Sequence, residues 1–142
     1  MPYGDYTQYQ KWNTSKCLSR QILAADTSTE LNNVIVVKSA NHQLFIQKIA
    51  FYETTESTGK NLTFQDDAST PVVLGKYFSV TAAAGIPKNG ILDFGPQGYA
   101  LTAGKNLDVI VSAAGVAGSL HIEAYEKIVS GAIHTGIAAS GQ

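Results

Sequence analysis

The sequence predicts an all-β fold: a single β-sandwich or jelly roll with extended N- and C-terminal arms. In the central part of the chain, apolar and polar residues alternate with a period of two, as in half-buried strands. Clusters of Gly, Pro, Asn, Asp and Ser separate these segments and supply turns. No segment longer than about ten residues shows a helical stripe of apolar residues. Two sheets that pack their apolar faces together satisfy this pattern.

The predicted strands follow from their composition and alternation. The first two are rich in β-branched and aromatic residues. In the next, Leu62 and Phe64 alternate with polar residues. In the last, Leu120 and Ile122 oppose His121 and Glu123, which makes it the clearest half-buried strand. The segments are 33–39, 43–53, 60–66, 107–112 and 119–128, and a further strand is expected to begin at Val72.

The length of 142 residues predicts one domain with one core. We expect an N-terminal arm and first strand over residues 1–30 and the sandwich over residues 31–129. Residues 130–142 are expected to form a C-terminal arm, because "GAIHTGIAASGQ" is too apolar for a typical disordered tail and too rich in Gly for a stable strand. A floppy terminus is the alternative.

Charge and hydropathy argue against several classes of partner. Ten Lys and Arg against eleven Asp and Glu give a net charge of -1 without a basic patch, so we expect no nucleic-acid partner. No apolar run could span a membrane, and "MPYGDYTQYQ" lacks the pattern of a signal peptide, which predicts a protein used in the cytoplasm or released by lysis. The charged fraction of 15%, below the usual value of about 25%, suggests that a partner covers much of the surface.

The residues with reactive side chains do not form a known catalytic or metal-binding motif. Cys17 is the single cysteine, so neither an internal disulfide nor a multi-thiolate metal site is possible. The histidines His42, His121 and His134 are far from Cys17 in the sequence. Glu123 and Glu126 are close in sequence, but an offset of three places them on opposite faces of a strand. We therefore expect no enzymatic activity, no cofactor and no metal.

The adjacent carboxylates Asp66 and Asp67 raise the question of a metal site. They open the segment "DDASTP" between two predicted strands, where Asp commonly caps its own backbone. A Ca²⁺ site would need further oxygen ligands at a defined spacing, and Glu53, Glu56 and Asp93 do not match one. A solvated hairpin turn is the expectation.

The N-terminal arm carries the candidate partner-binding residues. Tyr3, Tyr6, Tyr9 and Trp12 recur at a spacing of three with polar residues between them. Aromatic side chains are enriched where proteins contact proteins. They would equally suit one face of a short helical turn that completes the core of the domain, and both interpretations stay open here.

Residues 59–127 resemble small capsid decoration, or cement, proteins of tailed bacteriophages. The resemblance is carried by "TFQD" running into "TPVVL", by "LDFGPQGYALTAGKNLDV", and by "SAAGVAGSLHIEAYE". It implies a jelly-roll protein of the virion, assembled in the host cytoplasm, that forms a dimer or trimer on the capsid surface and bridges major capsid subunits. The alternative is a receptor- or glycan-binding module of a phage fibre or tail, in which Tyr99, Tyr77 and Asp66 would serve in loops at one end of the sandwich.

Overall fold

A computed structural model describes residues 13–79 and 88–129, which form two antiparallel β-sheets. The all-β prediction is confirmed, because the described residues contain strands and turns but no helix, and the two sheets are compatible with a sandwich. The jelly-roll connectivity stays a prediction. The strands are β1 (Asn13–Ser15), β2 (Leu18–Ile22), β3 (His42–Thr55), β4 (Asn61–Asp66), β5 (Val73–Phe78), β6 (Lys88–Asp93), β7 (Tyr99–Ala100), β8 (Leu107–Val111) and β9 (Ala117–Ile128).

The larger sheet is built on the long strands β3 and β9. They pair antiparallel from His42 opposite Ile128 to Thr55 opposite Ala117. Both β1 and β2 pair with the other edge of β9, so they act as two parts of one interrupted edge strand. In the same way, β6 and β7 share the other edge of β3. The sheet is therefore four strands wide, and β1 and β2 extend it into the part of the chain assigned to the N-terminal arm and first strand.

The smaller sheet has the order β5, β4, β8, and its apolar face closes the core. Leu62 and Phe64 of β4 are buried, as their alternation predicts. The chain passes from one sheet to the other after β3, β5, β7 and β8, which locks the two layers together. The core is lined from both sheets by Leu44, Ile46, Ile49, Phe51, Leu62, Phe64, Leu107, Val109, Leu120 and Ile122.

A β-bulge at Gln47 divides β3 into two parts of opposite phase. The register with β9 shifts between Ile46 and Lys48. Before the shift the even-numbered Leu44 and Ile46 are buried, and after it the odd-numbered Ile49 and Phe51 are buried. The extra residue thus lets one long strand keep its apolar side chains on the core face along its whole length.

The prediction of a strand over residues 33–39 is wrong. Ile35 and Val37 are buried as a strand would bury them, but the segment forms only an isolated bridge to Leu107 of β8. Side chains accept the next backbone hydrogen bonds: the amide of Val37 donates to Asn106 Oδ1 at 2.9 Å. The β-branched residues of this segment therefore correctly indicated that it is buried, but not that it forms a strand.

A glycine permits the close approach of β9 to β3. A Cβ atom at Gly118 would overlap the carbonyl oxygen of Tyr52 and lie 2.8 Å from Cζ of Phe51. Side-chain carbons do not approach other atoms so closely, and the nearest obstacles include backbone, which cannot move aside. Gly118 is thus required where the end of β3 pairs with the start of β9.

Asp66 is buried, which corrects the expectation of a solvated turn for this residue. It is the last residue of β4, lies on the core face and is 0% exposed. Its carboxylate accepts hydrogen bonds from the amides of Ala68 (3.2 Å), Val72 (3.0 Å) and Thr102 (2.8 Å). The first two confirm that the Asp caps its own turn, and the third ties that turn to the connection between β7 and β8.

The pKa of the Asp66 carboxyl lies below its ordinary value. Burial raises this pKa, but the hydrogen bonds from Thr102, Val72 and Ala68 outweigh it by favouring the charged form. A carboxyl whose pKa is lower in the folded than in the unfolded state contributes stability above its unfolded pKa. That contribution is lost as the pH falls from about 4 towards the folded pKa.

We predict that Asp66→Asn lowers the free energy of unfolding by about 1–3 kcal/mol near neutral pH. The amide group of Asn would turn an N–H towards backbone donors that need an acceptor. Urea denaturation at neutral pH and at about pH 3 measures this, and the difference between variant and wild type should shrink in acid.

Asp67→Asn is the matched control for this measurement. Asp67 is exposed and accepts hydrogen bonds from Asn106, which water can replace, so its effect should stay below about 1 kcal/mol. Equal effects of the two substitutions, or a difference independent of pH, would contradict the role assigned to Asp66.

Candidate partner-binding corner

The predicted contact residues Tyr3, Tyr6, Tyr9 and Trp12 lie outside the described residues, as does the segment 130–142. The structure does place the points at which both segments are attached. Asn13 of β1 pairs with Lys127 of β9. The amide of Val129 donates to the carbonyl oxygen of Asn41 at 3.0 Å, beside the start of β3. Segments 1–12 and 130–142 are therefore attached side by side at one corner of the large sheet.

We call this region the arm corner and define it by residues 13–17, 36–42 and 124–129. Three stretches of chain meet here: the interrupted edge strand, the segment that leads into β3, and the end of β9. Lys16 sits at the interruption between β1 and β2, and its amide donates to the carbonyl oxygen of Ala124 at 2.9 Å. The edge strand is thus held to β9 even where the ladder is broken.

Glu126 is the residue that joins the three stretches. It lies on the core face of β9 and is 2% exposed. One carboxylate oxygen accepts a hydrogen bond from the amide of Lys38 at 2.8 Å, and the other lies 3.4 Å from Lys16 Nζ. The Lys16 ammonium also donates to the carbonyl oxygen of Val36 at 3.4 Å. A buried carboxylate is tolerated only when paired and hydrogen-bonded, and these contacts meet that condition.

The two neighbouring glutamates lie on opposite faces, as their spacing predicts. Glu123 is exposed on the outer face of the large sheet, while Glu126 points into the sandwich. The alternation of apolar and polar residues did not predict that Glu126 would be buried and hydrogen-bonded. Its importance depends on Lys16 and Lys38, which are distant from it in sequence and become neighbours only through the pairing of β9.

An aromatic pair covers the outer face of the sheet beside the arm corner. The rings of Phe45 and Tyr125 stack with centroids 5.0 Å apart and an angle of 6° between their planes. Lys127 Nζ lies 4.6 Å from the centre of the Phe45 ring, in cation-π contact. The Tyr125 hydroxyl donates to the carbonyl oxygen of Gln97 at 2.6 Å. These contacts form a rigid apolar surface next to the attachment points of both arms.

The residues of the alternative binding site are not brought together. Asp66 lies at one end of β4, whereas Tyr77 pairs with Leu62 near the other end. The carboxylate of Asp66 is buried, and the Tyr77 ring packs edge-on against Phe51 with centroids 4.9 Å apart. Tyr99 is 51% exposed, and its ring lies 5.6 Å from the ring of Phe94.

Glu53 and Glu56 contact Lys88 and not the pair Asp66-Asp67. Lys88 Nζ lies 3.3 Å from a buried oxygen of Glu53 and also pairs with Glu56. Burial, and then the Glu53 charge, raises the pKa of the nearby Tyr77 hydroxyl. In the described part of the chain, no group of three or more His, Cys, Asp or Glu side chains is arranged to hold a metal ion.

Comparison with known proteins does not identify a family. No protein-family model matches the chain, and no curated protein matches it significantly. The resemblance to phage decoration proteins therefore stays a prediction. Over residues 13–79 and 88–129, no helix is long and apolar enough to cross a membrane.

We predict that Glu126→Ala lowers the free energy of unfolding by about 1–3 kcal/mol, because it removes the acceptor of the Lys38 amide and the ion-pair partner of Lys16. Glu123→Ala, three residues earlier and on the exposed face, should change it by no more than about 0.5 kcal/mol. Urea denaturation compares the two variants. Hydrogen exchange of the Lys38 amide should also accelerate in Glu126→Ala alone, and equal behaviour of the variants would show that Glu126 does not hold the corner.

Proposed function

We propose that this chain is a structural virion protein that binds the outside of a phage capsid and stabilises it by bridging major capsid subunits. The observation that supports the proposal is the arm corner, where the pairing of Asn13 with Lys127 joins two terminal segments to one point of a rigid sandwich. A protein that clips neighbouring subunits together needs such a body with adjacent extensions. The resemblance of residues 59–127 to phage decoration proteins is the reason for proposing the major capsid protein as the partner.

The dimensions of the arms suit this role. Residues 1–12 and 130–142 can reach about 40 and 45 Å, respectively, when fully extended. Because they start together, they can follow different directions across a surface while the sandwich stays at one position. Two such contacts from one body raise the apparent affinity for a surface, since the second contact forms at high effective concentration.

The aromatic residues of the N-terminal arm are the proposed anchors. The described sandwich already contains a continuous core of apolar side chains from both sheets, which favours a role outside that core for Tyr3, Tyr6, Tyr9 and Trp12. Aromatic anchors that are buried in an interface commonly cost about 2 kcal/mol or more when truncated to alanine. With a net charge of -1, the protein should bind through apolar burial and hydrogen bonds.

The proposal includes assembly as a dimer or trimer. Two large apolar side chains of the edge strand β5 face solvent, Val73 at 52% and Phe78 at 60% exposure. They lie on the outer side of the small sheet, next to the edge of β5 that pairs with no other strand in the described part of the chain. Exposed apolar side chains beside an unpaired edge are typical of an association surface.

The test is binding to empty capsids of the virus that encodes this chain, prepared without the protein. We predict saturable binding of the wild type at a fixed copy number per capsid, with little change between low and moderate salt. The variant with Tyr3, Tyr6, Tyr9 and Trp12 all replaced by Ala should bind at least about thirtyfold more weakly. Deletion of residues 1–12 should have the same effect, whereas deletion of 1–17 would also remove β1 and Lys16.

Tyr99→Ala is the matched control, because it removes one exposed tyrosine that lies outside the two arms, and it should bind as the wild type does. Unchanged melting temperatures would show that the arm variants keep the fold. Sedimentation of the free protein should show a dimer or trimer.

If the four-residue variant binds as the wild type does, the contact with the capsid lies on the sandwich or the C-terminal arm. Absence of wild-type binding to the capsids would refute the proposed function.

A further inference from the structure

The outer face of the large sheet carries a groove that neither the proposed function nor the predicted site residues use. It consists of two depressions of about 450 and 360 Å³. Lys48 and Glu123, which pair across β3 and β9, line both depressions and mark the boundary between them. The first extends towards Tyr52 and His121, and the second towards Pro96. We call the whole the sheet groove.

The first depression exists because a small residue lies between large ones. Ala50 forms its floor, opposite His121 of β9, while Tyr52 and Lys48 stand on either side of it along β3. This position is at the centre of the β3 and β9 ladder, so the floor is held by backbone hydrogen bonds on both sides. The groove is therefore part of the rigid sheet and does not depend on a loop.

The aromatic wall of the depression is fixed in place. The Ser19 hydroxyl lies 2.8 Å from His121 Nδ1, and the His121 ring packs edge-on against Tyr52 with centroids 5.8 Å apart. Tyr52 remains 43% exposed. A ring face held in this way can stack on a ligand without losing further side-chain freedom.

The polar groups at the centre of the groove have no partners of their own. Neither Lys48 Nζ nor the Glu123 carboxylate forms a hydrogen bond or ion pair with another residue of the described chain. The ammonium offers three donors and the carboxylate offers acceptors on both oxygens. The groove thus combines one exposed ring with free donors and acceptors a short distance from it.

The charges in the groove favour a neutral ligand. The pairing of the strands places Lys48 between Glu123 on one side and Asp93 on the other. The single positive charge is balanced by carboxylates, so an anion such as a phosphate would meet repulsion. A ring that stacks on a weakly polar face, next to alternating donors and acceptors, matches the chemistry of a sugar.

We propose that the sheet groove binds a neutral carbohydrate of two or more units, one in each depression. The sugar nearest Tyr52 stacks on its ring, and its hydroxyl groups exchange hydrogen bonds with Lys48 and Glu123. The next unit lies over the second depression, between Lys48 and Pro96. The groove lies on the outer face of the sheet beside the arm corner, and the proposal does not rest on capsid binding.

The test is a titration of the full-length protein with lactose, maltose and N,N′-diacetylchitobiose, followed by two-dimensional amide NMR. We expect at least one disaccharide to shift the amide signals of Lys48, Ala50, Tyr52 and Glu123 in a saturable manner below about 10 mM. The matching monosaccharide should bind at least about threefold more weakly, because it fills one depression only.

Substitutions distinguish specific binding in the sheet groove from a non-specific effect of the sugar on the amide signals. Tyr52→Ala should weaken binding about tenfold or more, Tyr52→Phe should retain it, and Tyr99→Ala should leave it unchanged. The amide spectrum of each variant shows whether the fold is kept. The proposal is overturned if none of the three disaccharides shifts these signals up to about 50 mM, or if Tyr52→Ala binds as the wild type does. Shifts that depend on protein concentration alone would assign the face to a second copy of the chain and would equally overturn it.

Discussion

The antiparallel pairing of β3 with β9 is the constraint on which the rest of this structure depends. These strands have 14 and 12 residues, and every other strand of the large sheet is attached to one of their outer edges. Their inner faces supply seven of the 17 buried residues in the described core, and their outer faces form the floor of the sheet groove. The ends of the ladder also set the arm corner, because His42 and Ile128 meet there. A shift of this register by one residue would turn the apolar side chains outwards.

Buried carboxylates fix the segments that the ladder itself does not hold. Asp66 ties the turn after β4 to the connection after β7, and Glu126 ties the edge strand to the segment that enters β3. Asp66 and Glu126 thus receive donors from chain segments that lack a regular ladder. Glu53 differs, because its ion-pair partner Lys88 lies opposite it within the ladder of β3 and β6. Because an unpaired buried charge is costly, these contacts favour one arrangement of the connections over others.

Much of the fold could be predicted from alternation, and the failures have identifiable causes. The strands β4 and β9 follow a strict period of two and were found from the sequence. The bulge at Gln47 breaks that period inside β3, yet the β-branched and aromatic composition still indicated a strand. In β6, the sequence "KNG" has the composition of a turn, but Gly90 pairs with Phe51 inside the strand. It is a glycine at a position where a Cβ would overlap the Tyr77 ring. Residues 33–39 show the opposite error. Their apolar composition predicts a strand, but they are buried without forming a ladder of backbone hydrogen bonds.

The candidate sites were harder to predict because they are made by neighbours across strands. Sequence composition located the aromatic N-terminal residues, but not the corner at which they are attached, which requires the pairing of Asn13 with Lys127. Nothing in the local sequence distinguishes Glu126 from Glu123 beyond their alternate faces. The sheet groove depends on the small side chain of Ala50 lying between Tyr52 and Lys48, and on His121 lying opposite it. Only this last relation follows once the register of β3 and β9 is known, since Ala50 pairs with His121.

Native-state hydrogen exchange of the full-length protein tests the central role of this ladder most directly. If β3 and β9 are the element on which the other strands depend, the amides of Ile49, Phe51, Leu120 and Ile122 should exchange slowest, at the rate of global unfolding. Amides of the short edge strands β1 and β7 should exchange faster through local opening. Exchange in the centre of β9 that is as fast as in β7, with the slowest amides in the small sheet instead, would contradict this account.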